Sequence, residues 1–274
     1  MKRLIPVFLI TFLCLLCLQA VAQTDSPSTT RYSLFNPVPK NEMRDFSIDR
    51  PDITESPVTV DAGHFQFEAD LYKWTRFDWS GSSGRVVNYF NGLYKMGLTK
   101  SWDIHVGLEL FNQYLDSEGN TIEKGYGNTT IRLKHNFWGN EGDTRTALGI
   151  IPYVTLPTSP LDHDAFFGVG FPFSYTLNDK FGAGAQFQFD FLPTGEGDYD
   201  MAYLQTVVFG GGLVGDLDFF VEGMGIFYSG SEIFTANGGI IYNANDNVKI
   251  DVGANVGLTD ESLTRIFLGL SFRL

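Results

Sequence analysis

Apolar and polar residues alternate through most of the chain that follows residue 22. The clearest run is residues 248–258, where one face carries Val248, Ile250, Val252, Ala254, Val256 and Leu258 and the other carries Lys249, Asp251, Gly253, Asn255 and Gly257. Residues 65–71, 102–110, 181–191 and 266–274 repeat this period of two. Such a period is typical of β-strands whose two faces meet different surroundings, and no sustained helical spacing accompanies it.

These alternating runs are long for strands. Many cover about 9 to 14 residues, whereas strands of globular proteins usually have about five or six and a strand that crosses a bilayer needs about 9 to 11. The pattern therefore predicts an all-β protein, a transmembrane antiparallel β-barrel of about 12 strands with a short N-terminal extension. The predicted strands are residues 63–74, 85–99, 101–114, 126–138, 144–157, 166–177, 181–193, 199–212, 217–229, 232–243, 247–259 and 263–274.

The connections between these strands alternate in length for most of the chain. Lys100 and residues 139–143 are short connections, whereas residues 75–84 and 116–125 are long ones. Short periplasmic turns and long outer loops are the pattern of bacterial outer-membrane barrels. A secreted β-sandwich is the soluble alternative, and a change of gel mobility on boiling distinguishes the two.

A membrane barrel explains why the chain is rich in glycine and aromatic residues and poor in charged ones. Gly contributes 30 residues and aromatic residues 15% of the chain, while charged residues are only 19%, against about 25% in a typical soluble domain. A face that meets lipid takes no charge, and aromatic side chains belong at the two membrane interfaces. Four tryptophans lie near predicted strand ends: Trp74, Trp79, Trp102 and Trp138. The formal charge of −13 argues against a nucleic-acid partner, whose binding surface is basic.

The first 22 residues are typical of a secretory signal peptide. Lys2 and Arg3 precede an apolar stretch, and Ala20-Val21-Ala22 is a cleavage sequence. Both cysteines, Cys14 and Cys17, lie within it, so the exported chain is expected to have no disulfide and no thiol chemistry. We therefore expect an N-terminal extension over residues 23–62, a barrel over residues 63–274, and a location in the bacterial outer membrane.

A compact motif precedes the first predicted strand. It reads Ser-Ile-Asp-Arg-Pro-Asp-Ile-Thr-Glu-Ser-Pro over residues 47–57, and residues 63–68 then supply a Gly, aromatic residues and an acidic residue. This opening resembles that of a family of outer-membrane β-barrel proteins labelled "transporter" or "phenol meta-degradation pathway protein". The resemblance is close over residues 47–68 and elsewhere is one of architecture. It implies a barrel that passes small molecules, and its phenol label is a pathway association that establishes no substrate.

Two interpretations of this motif remain open. Either the segment folds into the lumen as a plug or gate, with Arg50 paired to carboxylates such as Glu68, Asp70, Asp103 or Glu109, or it is a periplasmic lead-in shaped by its prolines. Charge-assisted hydrogen bonds would hold such a plug without covalent links. The residues of this plug hypothesis are Asp49, Arg50, Pro51, Asp52, Thr54, Glu55 and Ser56.

Charged residues on the polar faces of the strands are expected to line the lumen. They are Glu68, Asp70, Asp103, Glu109, Arg132, Lys134, Asp190, Glu222, Lys249, Asp251 and Arg273, with Lys95 among the basic residues that oppose the acidic ones. Because carboxylates favour cations, an open pore of this composition is expected to prefer cations weakly. The reversal potential in a planar bilayer measures that preference.

The function that fits best is a channel or transporter for small molecules, hydrophobic or aromatic ones among them. Its expected partners are membrane lipid, an unidentified small solute and the barrel assembly machinery, whose terminal signal the last strand resembles although Leu274 replaces the usual aromatic residue. A structural or adhesive barrel without transport is the alternative.

An outer-membrane hydrolase fits less well. The chain has four histidines, and no Gly-x-Ser-x-Gly elbow is present. Asp162, His163 and Asp164 form an acidic loop that is better explained by solvation than by a metal. We expect no catalytic residue, no cofactor and no metal.

Overall fold

The computed structural model describes residues 31–79, 82–142, 144–160, 164–195 and 197–274. Its regular structure is a set of antiparallel strands. They are β1 (Phe65–Trp79), β2 (Ser82–Gly97), β3 (Trp102–Asp116), β4 (Thr121–Gly125), β5 (Thr129–Trp138), β6 (Thr146–Leu156), β7 (Phe166–Thr176), β8 (Phe181–Pro193), β9 (Tyr199–Val214), β10 (Leu217–Tyr228), β11 (Ser231–Asn245), β12 (Val248–Gly257) and β13 (Thr264–Arg273).

The sheet closes on itself. Each strand pairs with its neighbours in the chain, except that β3 pairs with both β4 and β5, and β1 pairs with β13 through registers such as Trp74 with Ile266. Twelve strands therefore form a closed antiparallel ring, and β4 is an extra strand attached to β3. Closure leaves no unpaired sheet edge in the ring, which a bilayer requires. The predicted fold class is confirmed.

The two faces of the ring differ in polarity as the alternation predicts. On β12, Val252 and Val256 are about half exposed on the outer face, whereas Asp251 and Asn255 are buried on the inner one. Apolar side chains outside and polar ones inside are the reverse of a soluble barrel and are characteristic of membrane barrels. Among the described residues, no helix has the length and apolar character that a membrane-spanning helix needs.

The segment before β1 is irregular, apart from a short 3-10 turn at Lys40–Glu42. It is attached to the end of the barrel where the chain terminates. The ring nitrogens of His64 lie 3.0 Å from the carbonyl oxygen of Leu274 and 2.7 Å from that of Val38. The expected signal peptide, residues 1–22, lies outside the described residues.

Two predicted loops are partly strand. Residues 75–84 were expected to be a long loop, but β1 continues to Trp79 and β2 begins at Ser82, so Trp74 lies well inside its strand. Residues 116–125 contain β4, although their sequence has no apolar alternation. The turn before β4 forms because the Asp116 carboxylate accepts a hydrogen bond from the Asn120 N–H at 2.8 Å. Backbone hydrogen bonds therefore extend the β1–β2 and β3–β4 hairpins beyond the residues whose apolar and polar side chains alternate.

Candidate functional site

Residues 44–61 form a loop whose ends are held together, which we call the lumen loop. The Arg44 guanidinium binds the Asp61 carboxylate, with 2.7 Å between Nε and Oδ1, and donates to the Thr59 carbonyl at 3.1 Å. Arg273, at the end of β13, donates to the Arg44 carbonyl at 2.6 Å. The base of the loop is thereby tied both to itself and to the barrel.

Side chains from most of the ring contact the lumen loop. Its partners include Glu68 of β1, Lys95 of β2, Asp103 of β3, Lys134 of β5, Gln186 of β8, Thr206 of β9, Glu222 of β10 and Asp251 of β12. A segment can reach inward-facing side chains on so many strands of a closed barrel only from inside it. The loop therefore lies in the lumen. Glu68 is near the start of β1 and Lys95 near the end of β2, so the loop occupies the half of the barrel that holds the chain terminus.

Asp49 lies between two lysines of the wall. Its Oδ1 is 2.6 Å from Lys134 Nζ, and its Oδ2 is 2.6 Å from Lys95 Nζ. Lys95 also pairs with Glu68, whose Oε2 accepts the N–H groups of Asp49 at 2.9 Å and of Arg50 at 3.0 Å. Burial alone would raise the pKa of Asp49, but Lys134 and Lys95 outweigh it and hold that pKa well below its ordinary value. Loop and wall thus share one ionised network.

Arg50 of the lumen loop contacts two strands of the wall. Its guanidinium pairs with Asp70 of β1 and binds Asp251 of β12 with two nitrogens, at 2.7 and 3.2 Å. The guanidinium carbon lies 5.6 Å from the ring centre of Phe267. Pairing with Asp70 was among the expected contacts. The expected side-chain pairings with Asp103 and Glu109 are wrong, because Arg50 is turned towards β12 instead.

Glu222 of β10 holds the far side of the loop. Its carboxylate accepts the N–H of Ile53 at 3.0 Å and the N–H and hydroxyl of Thr54 at 2.8 and 2.6 Å. The hydroxyls of Thr54 and Thr206 are 2.6 Å apart, and Asn237 donates to Glu222 at 2.6 Å. One wall carboxylate therefore satisfies two backbone donors of the loop at once.

The returning arm of the loop crosses to β5 and β8. Glu55 pairs with Arg132 through its side chain, and its N–H donates to Gln186 at 2.8 Å. Burial raises the pKa of Glu55 to about 7, against the opposing effect of Arg132. Within the loop, the hydroxyls of Ser47 and Ser56 are 2.7 Å apart, so the two arms also bind one another.

The inner wall has glycines where the loop approaches it. A Cβ on Gly269 would overlap the Arg50 guanidinium, a Cβ on Gly149 would lie 3.2 Å from the Pro57 carbonyl oxygen, and a Cβ on Gly184 would lie 3.2 Å from a methyl carbon of Thr54. Glycine thus provides space at three positions around the loop.

Replacing Gly269 by valine is expected to release the lumen loop. The new side chain would occupy the position of the Arg50 guanidinium and separate it from Asp251. Limited digestion of the folded barrel with a glutamate-specific protease measures the release as faster cleavage after Glu55, because trypsin does not cut the Arg50–Pro51 bond. Gly223→Val is the matched control, because a Cβ there meets nothing within 4 Å; equal cleavage of both variants would contradict the expectation.

The other predicted lumen residues also face inward. Asp103 accepts the Val60 N–H at 2.7 Å and lies 2.8 Å from His105 Nε2. Lys249 lies 5.6 Å from the ring centre of Phe46. Two further acidic residues bind partners on the wall rather than on the loop: Asp190 binds the Tyr153 hydroxyl, and Glu109 binds Asn112 at 2.7 Å.

The remaining motif residues have varied surroundings. Ser56 donates its N–H to Asp49 Oδ1 at 3.0 Å, and Pro51 is buried. Asp52 borders a cavity of about 810 Å³ between the lumen loop and strands β6–β12, which we call the basal cavity. Sequence reasoning missed this cavity, as well as the wall amides Gln186, Asn136 and Asn237. Only their place on the polar face of an alternating strand could have indicated them.

The three described histidines contact groups other than a serine hydroxyl. His105 is fully buried beside Asp103, and His135 binds the Ser101 carbonyl at 3.0 Å. No group of three or more metal-binding side chains occurs within the described ranges. His163 and Asp162 lie outside them, while Asp164 is described.

Comparison with known proteins places the chain in a family. No curated protein sequence matches it. Among solved structures, it is similar to the NanC porin at 10% identity and a TM-score of 0.52, covering 77% of this chain and 100% of that one. It is also similar to the KdgM porin at 9% identity and a TM-score of 0.50, covering 76% and 98%. These similarities concern the fold. The model of the family described as "Putative MetA-pathway of phenol degradation" matches residues 48–274. The match begins within the lumen loop and covers the whole barrel, so the chain belongs to that family.

Proposed function

We propose that the protein is a channel of the bacterial outer membrane for small molecules and that the lumen loop is its plug. The observation that carries the proposal is how the loop is held. Side chains of the wall bind it through ion pairs and hydrogen bonds to its backbone, and residues 44–61 form no β-ladder with the barrel. A segment attached in this way can leave the wall without any strand pairing being broken.

The size of the barrel supports a narrow path. About eight strands leave a filled interior, and sixteen hold an open aqueous channel. A ring of twelve lies between these limits, so a single segment of chain can obstruct it. Family membership, with its description in terms of phenol degradation, favours small aromatic or hydrophobic solutes.

Deleting residues 44–60 is expected to raise the conductance of single channels and the swelling rate of liposomes in small neutral solutes. The deletion removes the loop from the lumen while leaving the twelve strands complete. A shift of gel mobility on boiling serves as the control that the barrel has folded. Unchanged conductance in a folded deletion variant would contradict the plug assignment.

The alternative is a structural or adhesive barrel. Liposome swelling separates it from a channel, because a barrel without transport passes no solute in either form. Recovery of the protein in the outer-membrane fraction tests the location independently.

A further inference from the structure

We infer that the basal cavity is a binding site for a small organic cation with an apolar body. The cavity is lined by the lumen loop on one side and by the barrel wall on the other. The inference builds on the proposed channel function, since it names the class of solute that the channel holds beside its plug. Its volume of about 810 Å³ falls within the range of about 300–1,000 Å³ typical of small-molecule sites.

The walls of the cavity are apolar in part. Val208, Phe220 and Ile241 line it from the barrel, and Phe46 and Ile48 line it from the chain around the lumen loop. Val208 and Phe220 also belong to the buried apolar cluster of the lumen. An organic ligand gains free energy from burying apolar surface here, whereas a hydrated inorganic ion does not.

Asp52 is the polar feature of the cavity without a counter-ion. Among the residues that the structure describes, no Lys, Arg or His forms an ion pair with it, whereas the nearby carboxylates Asp49 and Glu55 are each paired with basic side chains. The carboxylate of Glu222 lies near Asp52 and is saturated by donors of the loop and of Asn237. Burial and the charges of Glu222, Asp49 and Glu55 raise the pKa of Asp52 well above its ordinary value.

Three of the four basic residues that line the cavity interact with other carboxylates, and the fourth, Arg145, is exposed at its rim. Arg44 binds Asp61, and Arg50 binds Asp70 and Asp251. None of these three acidic residues lines the cavity. Lys249 interacts electrostatically with Asp218. Asp45 and Glu141 also line the cavity but are exposed, and Asp218 lies beside Lys249, so Asp52 is the partly buried acidic group with which an incoming ligand can pair.

A positive ligand satisfies this arrangement. The ligand provides the positively charged partner that no described side chain provides to Asp52. A charge-assisted hydrogen bond in a partly desolvated site is stronger than a neutral one. A bound cation also favours the ionised form of Asp52 against its raised pKa, whereas an anion would raise that pKa further and meet Glu222 as a like charge. A neutral alcohol can donate to Asp52 but brings no charge, so we expect binding to fall from cation to alcohol to anion.

Three probes of similar shape test the inference: benzylammonium, benzyl alcohol and benzoate. Isothermal titration of the purified full-length protein in detergent is expected to give the tightest binding for benzylammonium. Asp52→Asn is expected to weaken that binding by about tenfold or more while leaving the binding of benzyl alcohol nearly unchanged. Asp260→Asn removes the same charge from an exposed outer loop and is expected to change neither.

Two results would overturn the inference. One is benzoate binding as tightly as benzylammonium, and the other is an unaltered preference in a folded Asp52→Asn variant that still binds benzyl alcohol. Because binding is measured at equilibrium without any flux, a negative result here leaves the conductance of the deletion variant as a separate test of the channel function.

Discussion

A disulfide between residues 54 and 206 is expected to close the channel, and its reduction is expected to reopen it. The Thr54 and Thr206 hydroxyls are 2.6 Å apart, so cysteines at both positions bring two sulfurs close to the bond length of about 2.05 Å. Thr54 belongs to the lumen loop and Thr206 to β9, so the bond fixes the loop to the wall. Single-channel recording of Thr54→Cys/Thr206→Cys, before and after a reductant, measures the effect.

A second disulfide provides the matched control. Ser47 and Ser56 have hydroxyls 2.7 Å apart, but both belong to the lumen loop. A bond between cysteines there closes the loop on itself without fixing it to the barrel, and it should leave gating intact. The only native cysteines, Cys14 and Cys17, lie in the expected signal peptide and would not interfere. If both disulfides closed the channel, or if neither did, the result would contradict the expectation that the channel opens when the lumen loop leaves the wall.

Alternation along the strands was sufficient to predict the barrel and its two faces. Asp251 lies between Ile250 and Val252 in sequence, and the period of two assigns it to the lumen, where the structure places it. The same reasoning could not find β4, because residues 121–125 carry no apolar alternation and pair with β3 through backbone hydrogen bonds and one polar contact between Gln113 and Thr121. Sequence periodicity reflects the surroundings of side chains. It does not predict backbone pairing between strands that extend into water.

The contacts of the lumen loop were predictable only in part. The motif identified Arg50 as a residue that pairs with inward wall carboxylates, and its pairing with Asp70 was one of the four named as alternatives. Its bond to Asp251 joins residues 201 positions apart, and only the closure of the ring brings β12 beside β1. Arg44 and Asp61, which close the base of the loop, lie outside the strands and have no periodic neighbours to indicate a partner.

Replacing Arg50 by methionine is expected to unseat the lumen loop and to leave the channel open for most of the time. Asp70 would keep its bond to Lys73 at 2.8 Å, but Asp251, whose side chain is 0% exposed, would lose its basic partner. Removing one partner of a buried ion pair costs about 3–5 kcal/mol, which corresponds to a factor of roughly one hundred to several thousand in the balance between seated and unseated loop. Open probability in single-channel recordings measures this shift.

Two further variants decide whether the charge of Arg50 itself holds the loop. Asp251→Asn in the Arg50→Met background removes the unpaired buried charge, so the open probability of the double variant should fall part of the way back towards the wild-type value, because seating the loop no longer buries an unpaired carboxylate. Arg50→Lys keeps the charge but loses the two-nitrogen contact with Asp251, and an intermediate open probability is expected because a lysine cannot form that bidentate pair. Arg76→Met, at an exposed position of β1, controls for the loss of a positive charge. Wild-type gating in Arg50→Met would mean that the wall's bonds to the loop backbone, at Glu68, Glu222 and Asp103, suffice to hold the loop in the lumen.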